Sequence, residues 1–247
     1  MMAAGTAAQR CLSVCLLEKN SFLGKKIRIT GKGRCNVTNN CDVRTVIEST
    51  PTNGRFLYGA VSQFPPFDAI RFFEGLGLPL KTERGNRVFP VSDHASDVAE
   101  ALIRFDRGAG VQFVRGEAAH LLLKSGAVCG ATLRDGTKIL AENVAVCCGG
   151  VSYPATGSTG DGYRLAQEAG HTITPLLPSL VPLVASGEDG KDCRDMMGLS
   201  LKNVAVQVVD TGSGKAVYEN FGEMLFTHFG LSGPIILSAS AHMHRMS

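Results

Sequence analysis

Apolar positions recur at helical and strand spacings in turn along the chain. Met1–Arg10 is rich in Ala and reads as a helix with nothing to cap its beginning. Ser13–Leu17 is a short apolar run, long enough for a strand buried in a parallel sheet, and it ends in Glu18-Lys19-Asn20. A loop rich in Gly and cations follows, from Gly24 to Asn40. Asp42 is placed to cap a helix over Val43–Ser49, and a second helix is predicted over Arg55–Ser62. Pro65-Pro66 opens a third, Phe67–Leu76, with Ile70, Phe73 and Leu76 on one face. Leu80–Glu83 and Arg87–Phe89 surround Arg84-Gly85-Asn86 as a small hairpin. Asp97–Arg107 carries Val98, Leu102 and Phe105 at helical spacing, and Gly108 or Gly110 ends it.

A run of strands comes next. Val111–Val114, Ala118–Lys124, Val128–Leu133 and Lys138–Leu140 are separated by Ser125-Gly126 and Asp135-Gly136 turns. Another apolar strand, Val144–Cys148, is expected to run into Gly149-Gly150, and a helix over Gly162–Ala169 follows the loop Ser152–Asp161. Pro175, Pro178 and Pro182 mark a crossing between domains. Beyond them Val204–Val209 and Ala216–Tyr218 form a hairpin around Thr211–Gly214, and Phe226–Ser232 leads into the apolar stretch Pro234–Ala239. This order suits an α/β dinucleotide domain with an inserted meander over residues 1–182, and the beginning of a β-rich domain over 183–247.

Composition narrows the chemistry. With 44% hydrophobic and 19% charged residues, the chain has an ordinary core-forming makeup. A formal net charge of +3 is too small to call for nucleic acid or a membrane surface. The eight cysteines form no Cys-x-x-Cys pair, and no His completes a zinc spacing, so no metal site is expected. No apolar stretch is long enough to span a bilayer, and no secretion signal accompanies the cysteines. The sequence reads as a reduced, cytoplasmic protein.

Three segments carry chemistry. In a dinucleotide fold the second parallel strand delivers a carboxylate to the adenosine ribose, and Glu18 is placed for that role; the alternative is a solvated strand-end acid. From Gly24 to Asn36, three glycines and five cations suit a diphosphate, with a basic RNA-binding loop or a solvated charge run as alternatives. The segment lacks aromatics on which bases could stack. Gly149-Gly150, continuing through a Thr/Ser/Gly-rich loop into a helix, lets a cofactor lie against bare backbone, unless the glycines only make turns.

Together the chain resembles the BaiN/YhiN-like family of NAD(P)/FAD-dependent oxidoreductases. The matching residues are Leu16–Asn20, Gly24-Lys25-Lys26, Thr30–Asn39, Arg87–Asp93, Ser152–Tyr163 and Phe226–Pro234. The resemblance implies a Rossmann-like FAD-binding domain of the glutathione-reductase type, its first strand missing, and the start of a β-barrel-like second domain. Carried over position by position, Glu18 would bind the adenosine ribose. Lys19, Lys25, Lys26, Gly31, Gly33, Arg34, Cys35, Asn36 and Thr38 would line the cofactor, Ala118 would meet the adenine through its backbone, and Gly149, Gly150, Thr156, Gly157 and Asp161 would border it from the other side. Members are flavin-dependent reductases or oxidases, one of them linked to bile-acid intermediates. NAD(P)H is a candidate electron donor, and the partner is a small-molecule substrate.

The family's Gly-x-Gly-x-x-Gly loop falls just before the counterpart of Met1, and a Gly-rich C-terminal segment lies beyond Ser247. The chain is therefore expected to be truncated at both ends, and alone to bind FAD weakly or not at all. No acid–base pair stands out; Cys35, Tyr153 and His228 are the catalytic candidates. Cations around Cys35 would favour its thiolate, although a buried structural thiol is the better reading. A non-catalytic nucleotide-binding fragment and an RNA-binding protein using Lys25–Arg34 are the rival functions.

Overall fold

The computed structural model describes residues 1–243. Backbone contacts divide the chain into two compact units, one ending at Ile173 and the other beginning at Thr174.

In the first unit, α1 (Met2–Gln9) leads into β1 (Cys15–Glu18). A kinked 3-10 segment, Ile27–Gly33, then precedes β2 (Thr38–Asn39). Asp42 caps α2 (Val43–Glu48) by accepting from the Thr45 N–H at 2.7 Å. The helix expected over Arg55–Ser62 is split into a 3-10 turn, Gly54–Leu57, and α3 (Tyr58–Gln63). Asn53 enters it with φ 54°, and Gly54 runs so close to Ile47 O that any Cβ would sit 2.3 Å away, so the chain turns too tightly there for one regular helix.

α4 (Pro66–Gly75) opens on its proline, as the missing N–H allows. β3 (Leu80–Glu83) and β4 (Arg87–Pro90) form the expected hairpin, and β2 pairs on the other side of β4. α5 (Ala95–Gly108) is the centre of the core. It buries Val98, Ala99, Ala101, Leu102, Ile103 and Phe105, each larger apolar side chain contributing roughly 1.5–3 kcal/mol, and Phe105 meets Phe72 edge-on at 5.0 Å.

β5 (Gln112–Arg115) returns parallel to β1, in register from Cys15 with Gln112 to Glu18 with Arg115. β6 (Ala118–Lys124), β7 (Ala127–Leu133) and β8 (Lys138–Leu140) make the antiparallel meander read from the turn residues. The strand expected over Val144–Cys148 is not formed. The segment has no ladder partner among the described residues, and β1 is paired on one edge only, by β5. An apolar run becomes a strand only where a neighbour takes its backbone hydrogen bonds. α6 (Asp161–Glu168) closes the unit.

The second unit is an antiparallel sheet in the order β10–β11–β12–β9, built from β9 (Leu183–Val184), β10 (Ser200–Val209), β11 (Ala216–Thr227) and β12 (Gly230–Ser232). The hairpin is longer than its apolar alternation indicated, and α7 (Gly187–Asp195) is an addition. The apolar stretch from Pro234 is a helix, α8 (Pro234–Met243), which packs on β11 and buries Ile235, Ile236 and Ala239. Among the described residues no helix is long and apolar enough to cross a membrane, and no cluster of His, Cys, Asp or Glu is arranged to hold a metal ion.

Candidate functional site

β1 ends in three side chains that tie distant segments together. Glu18 Oε1 accepts from the Asn20 backbone N–H at 2.8 Å and from Asn20 Nδ2 at 2.7 Å. Asn20 Nδ2 also donates to Thr156 O at 3.1 Å. Lys19 Nζ crosses to the loop before α6, donating to Thr159 Oγ1 at 2.7 Å and to Asp161 Oδ2 at 2.6 Å. Lys26 Nζ reaches Ser152 O at 2.7 Å. The strand end, the Gly24–Asn36 loop and the Ser152–Asp161 loop thus meet in one place. Bonding to Lys19, then to Thr159, holds the Asp161 carboxyl below its usual range. The side chains of Lys19 and Asp161 are only 24% and 18% exposed, so water screens this pair less than a surface salt bridge.

Most glycines here let protein atoms approach one another. A Cβ on Gly149 would lie 2.8 Å from Ser158 Oγ, on Gly150 3.0 Å from Tyr163 Oη, and on Gly157 2.7 Å from Asn20 Nδ2. On Gly31 it would lie 3.0 Å from the Asn36 N. Gly33, at φ 84°, differs: nothing lies within 4 Å of its missing side chain.

The basic loop is less free than its composition indicates. Arg34 bonds the Glu83 carboxylate, pairs with Asp93 Oδ1 at 2.6 Å, and stacks 4.2 Å from the Phe89 ring centre. Lys81 completes this cluster at 2.6 Å from Asp93 Oδ2. Arg28 pairs with Glu100 at 2.7 Å. Of the five cations only Lys25 and Lys32 have no hydrogen-bond or ion-pair partner among the described residues. Glu83 is held low chiefly by Arg34, and Asp93 by Lys81 and then Arg34. A carboxylate with a depressed folded value stabilises the fold above its ordinary range and loses that contribution as pH falls through the folded value. The melting-temperature gap between the wild type and Arg34→Met is therefore expected to narrow from about pH 7 to about pH 3. A gap that stays constant would show that the carboxylates contribute nothing there.

Cys35 sits as the buried structural thiol that the sequence favoured, and not as the cation-activated alternative. It is 7% exposed, packed with Leu78, Ala95, Val98 and Ala101, and burial pushes its thiol up, with a Thr30 hydrogen bond pulling back less. Lys26, Arg28 and Arg34, which would have favoured thiolate, are bonded elsewhere, and no cation acts on the thiol. Asn36 serves backbone: its amide nitrogen donates to Thr38 O at 2.9 Å and to Val88 O at 3.2 Å. Thr38 lies in β2, opposite Val88. The Ala118 carbonyl accepts from Arg164 Nη2 at 3.4 Å. Tyr153, in the first unit, is exposed at φ 53°, and its carbonyl accepts from Thr156 Oγ1 at 2.7 Å. His228, in the second unit, occupies the exposed turn between β11 and β12, edge-on to Phe229 at 5.0 Å.

Two contributors were not singled out from the sequence: Asn20, which fixes Glu18, and the Glu83–Asp93 pair, which occupies Arg34. Both lie in or beside the motifs Leu16–Asn20 and Arg87–Asp93. The specificity of those motifs was the available signal, whereas composition carried none.

The donor set suits a dinucleotide. Glu18 Oε2 has no hydrogen-bond partner among the described residues, which leaves an accepting oxygen for a ribose diol. Bare backbone at Gly33 and the unpaired ammonium groups of Lys25 and Lys32 provide what a diphosphate needs.

A parallel strand pair ending in an acid beside a glycine-rich loop is the frame of a nucleotide-binding α/β protein of the Rossmann kind. The chain belongs to the HI0933-like Rossmann-domain family, whose family model matches residues 1–239. It is 33% identical over 235 residues to the 3-dehydro-bile acid delta(4,6)-reductase of Clostridium scindens, covering 93% of this chain and 54% of that protein. It is 27% identical over 242 residues to the ribosomal RNA dihydrouridine synthase of Escherichia coli, covering 97% of this chain and 56% of that one. The chain thus spans about half the length of the curated relatives it matches. Among solved structures, that of Thermovibrio ammonificans THI4 is similar at 14% identity and a TM-score of 0.43, over 97% of this chain and 73% of that one.

Proposed function

We propose that the chain forms the FAD-holding part of a cytoplasmic flavin-dependent reductase. The observation that carries this is Glu18, oriented by Asn20 at the end of β1 with one carboxylate oxygen unclaimed. Glu18 takes the adenosine ribose, and Lys25, Lys32 and Gly33 take the diphosphate. Lys19 and Asp161 brace the loop beside it rather than bonding the cofactor. Bound FAD supplies hydride chemistry, with NAD(P)H as donor, while the protein sets orientation and excludes side reactions. The first unit holds the cofactor, and the second begins a β-rich domain.

The named activities of two relatives support a substrate class. A 3-dehydro delta(4,6) steroid and a uracil ring share a C=C bond conjugated to a carbonyl, the kind of bond that accepts hydride. We infer a small molecule with such a bond as the substrate. Three of the five loop cations are taken up internally, which leaves little for an RNA backbone and argues against the nucleic-acid reading.

Titration of the purified chain with FAD and with FMN tests the proposal. Saturable binding that is weak but favours FAD over FMN is the expected result, because only FAD carries the adenosine that Glu18 addresses. Equal binding of the two flavins, or none of either, would overturn it. FAD retained at near-stoichiometric level on purification would support the function and overturn the expectation of weak binding.

A further inference from the structure

Asp106 is the most deeply buried acid of the chain and takes no part in the site above. It lies on the face of α5 against which α1 packs and is 0% exposed. Neither carboxyl oxygen forms a full hydrogen bond: the Gly5 N–H donates to Met1 O at 3.0 Å, and its pull on Asp106 is the weakest of the influences there. The two helices touch at Gly5, where a Cβ would come 2.2 Å from the Phe105 ring and 2.6 Å from Asp106 Oδ1. Only a glycine lets α1 lie this close, so the carboxyl is sealed beneath the helix.

We propose that Asp106 is a proton-operated latch: α1 lies on α5 while the Asp106 carboxyl holds its proton, and α1 lifts away when that proton leaves. An ionised carboxylate without donors is far more costly to bury than a neutral acid, and solvent is reached most simply by moving the short helix above it. The charges around it do little to relieve this. Between Met2 and Gln9 α1 has no titratable side chain, and its one nearby charge is the Met1 amino group. On α5 itself, Arg104 and Arg107 are exposed, Glu100 is held by Arg28, and Asp97 accepts from Ser92. The 3-10 segment brings Arg28 and Lys32, β4 brings Arg87, and α4, through Phe72, brings Asp68, Arg71 and Glu74; none of these acts on the Asp106 carboxyl. Burial pushes that carboxyl up, with the Met1 amino group and the Gly5 N–H pulling back less.

The sign follows from linkage. A carboxyl whose folded value is raised stabilises the docked state at low pH, and that contribution is lost as pH rises through the folded value. Amide hydrogen exchange of residues 2–9, corrected for intrinsic rates and referred to α5 amides, reads the docking equilibrium from about pH 4.5 to about pH 7, below the range of the Met1 amino group. In the wild type the opening equilibrium of α1 is expected to rise with pH, by up to about tenfold per pH unit, the limit for one proton. Asp106→Asn keeps the shape without the proton, and Asp106→Leu removes the polar group altogether; each is expected to flatten the dependence. A wild type without slope, or a slope that survives in either variant, would overturn the proposal.

Discussion

Glu18→Ala is expected to weaken FAD binding by about 10- to 100-fold and to leave FMN binding unchanged. A hydrogen bond to a charged group is worth about 1.5–3 kcal/mol, and each 1.4 kcal/mol is tenfold in affinity. The effect is confined to ligands with an adenosine because Glu18 sits at the tip of β1 and its inner oxygen is already committed to Asn20. Glu18→Gln, which keeps the shape and loses the charge, should fall between the two. Parallel titrations with FAD, ADP and FMN check this. An equal loss for all three would mean that Glu18 acts through the fold and not through a ribose.

The other large effect is structural. Gly230→Ala is expected to cost the second unit about 3 kcal/mol or more, read as a drop in denaturation midpoint and lost exchange protection in β12. Gly230 has φ 149°, and a Cβ there would stand 2.2 Å from Leu183 O and 2.7 Å from Ala185 N. These are backbone atoms of β9 and of the residue that follows it, and cannot swing aside as a side chain would. Gly33→Ala is the comparison: its φ of 84° strains an alanine, but no atom lies within 4 Å of the new methyl, so about 1 kcal/mol is expected. Equal costs would show that β9 and β12 do not approach as described.

The same contrast explains what could be read in the sequence. Elements whose signal is local were legible: the Asp42 cap, the proline opening α4, the stripe along α5 and the turns of the meander. Val144–Cys148 was not, because its apolar run specifies a strand only when another strand is beside it. The stretch from Pro234 was read as apolar but not as helical, since a helix buried on most sides has little periodicity to show. At the candidate site, the place of Glu18 at the end of a strand was legible from the apolar run before it. The occupation of Arg34 was not, because a cation's partners depend on tertiary contacts; Glu83 and Asp93 lie 49 and 59 residues away. Glycine richness was visible, yet whether a glycine admits a ligand or a neighbouring side chain depends on what folds against it.

The bond from Lys19 to Asp161 joins residues 142 apart. The entropy of closing so long a loop grows with the logarithm of its length, and it must be overcome before the contact returns anything. The meander and the core around α5 lie between the two and rest on contacts nearer in sequence. Folding therefore has a direction in this unit. The scaffold is expected to gather first and the junction at the end of β1 to close late, so a nascent or partly unfolded chain is expected to lose the proposed nucleotide corner before it loses its core.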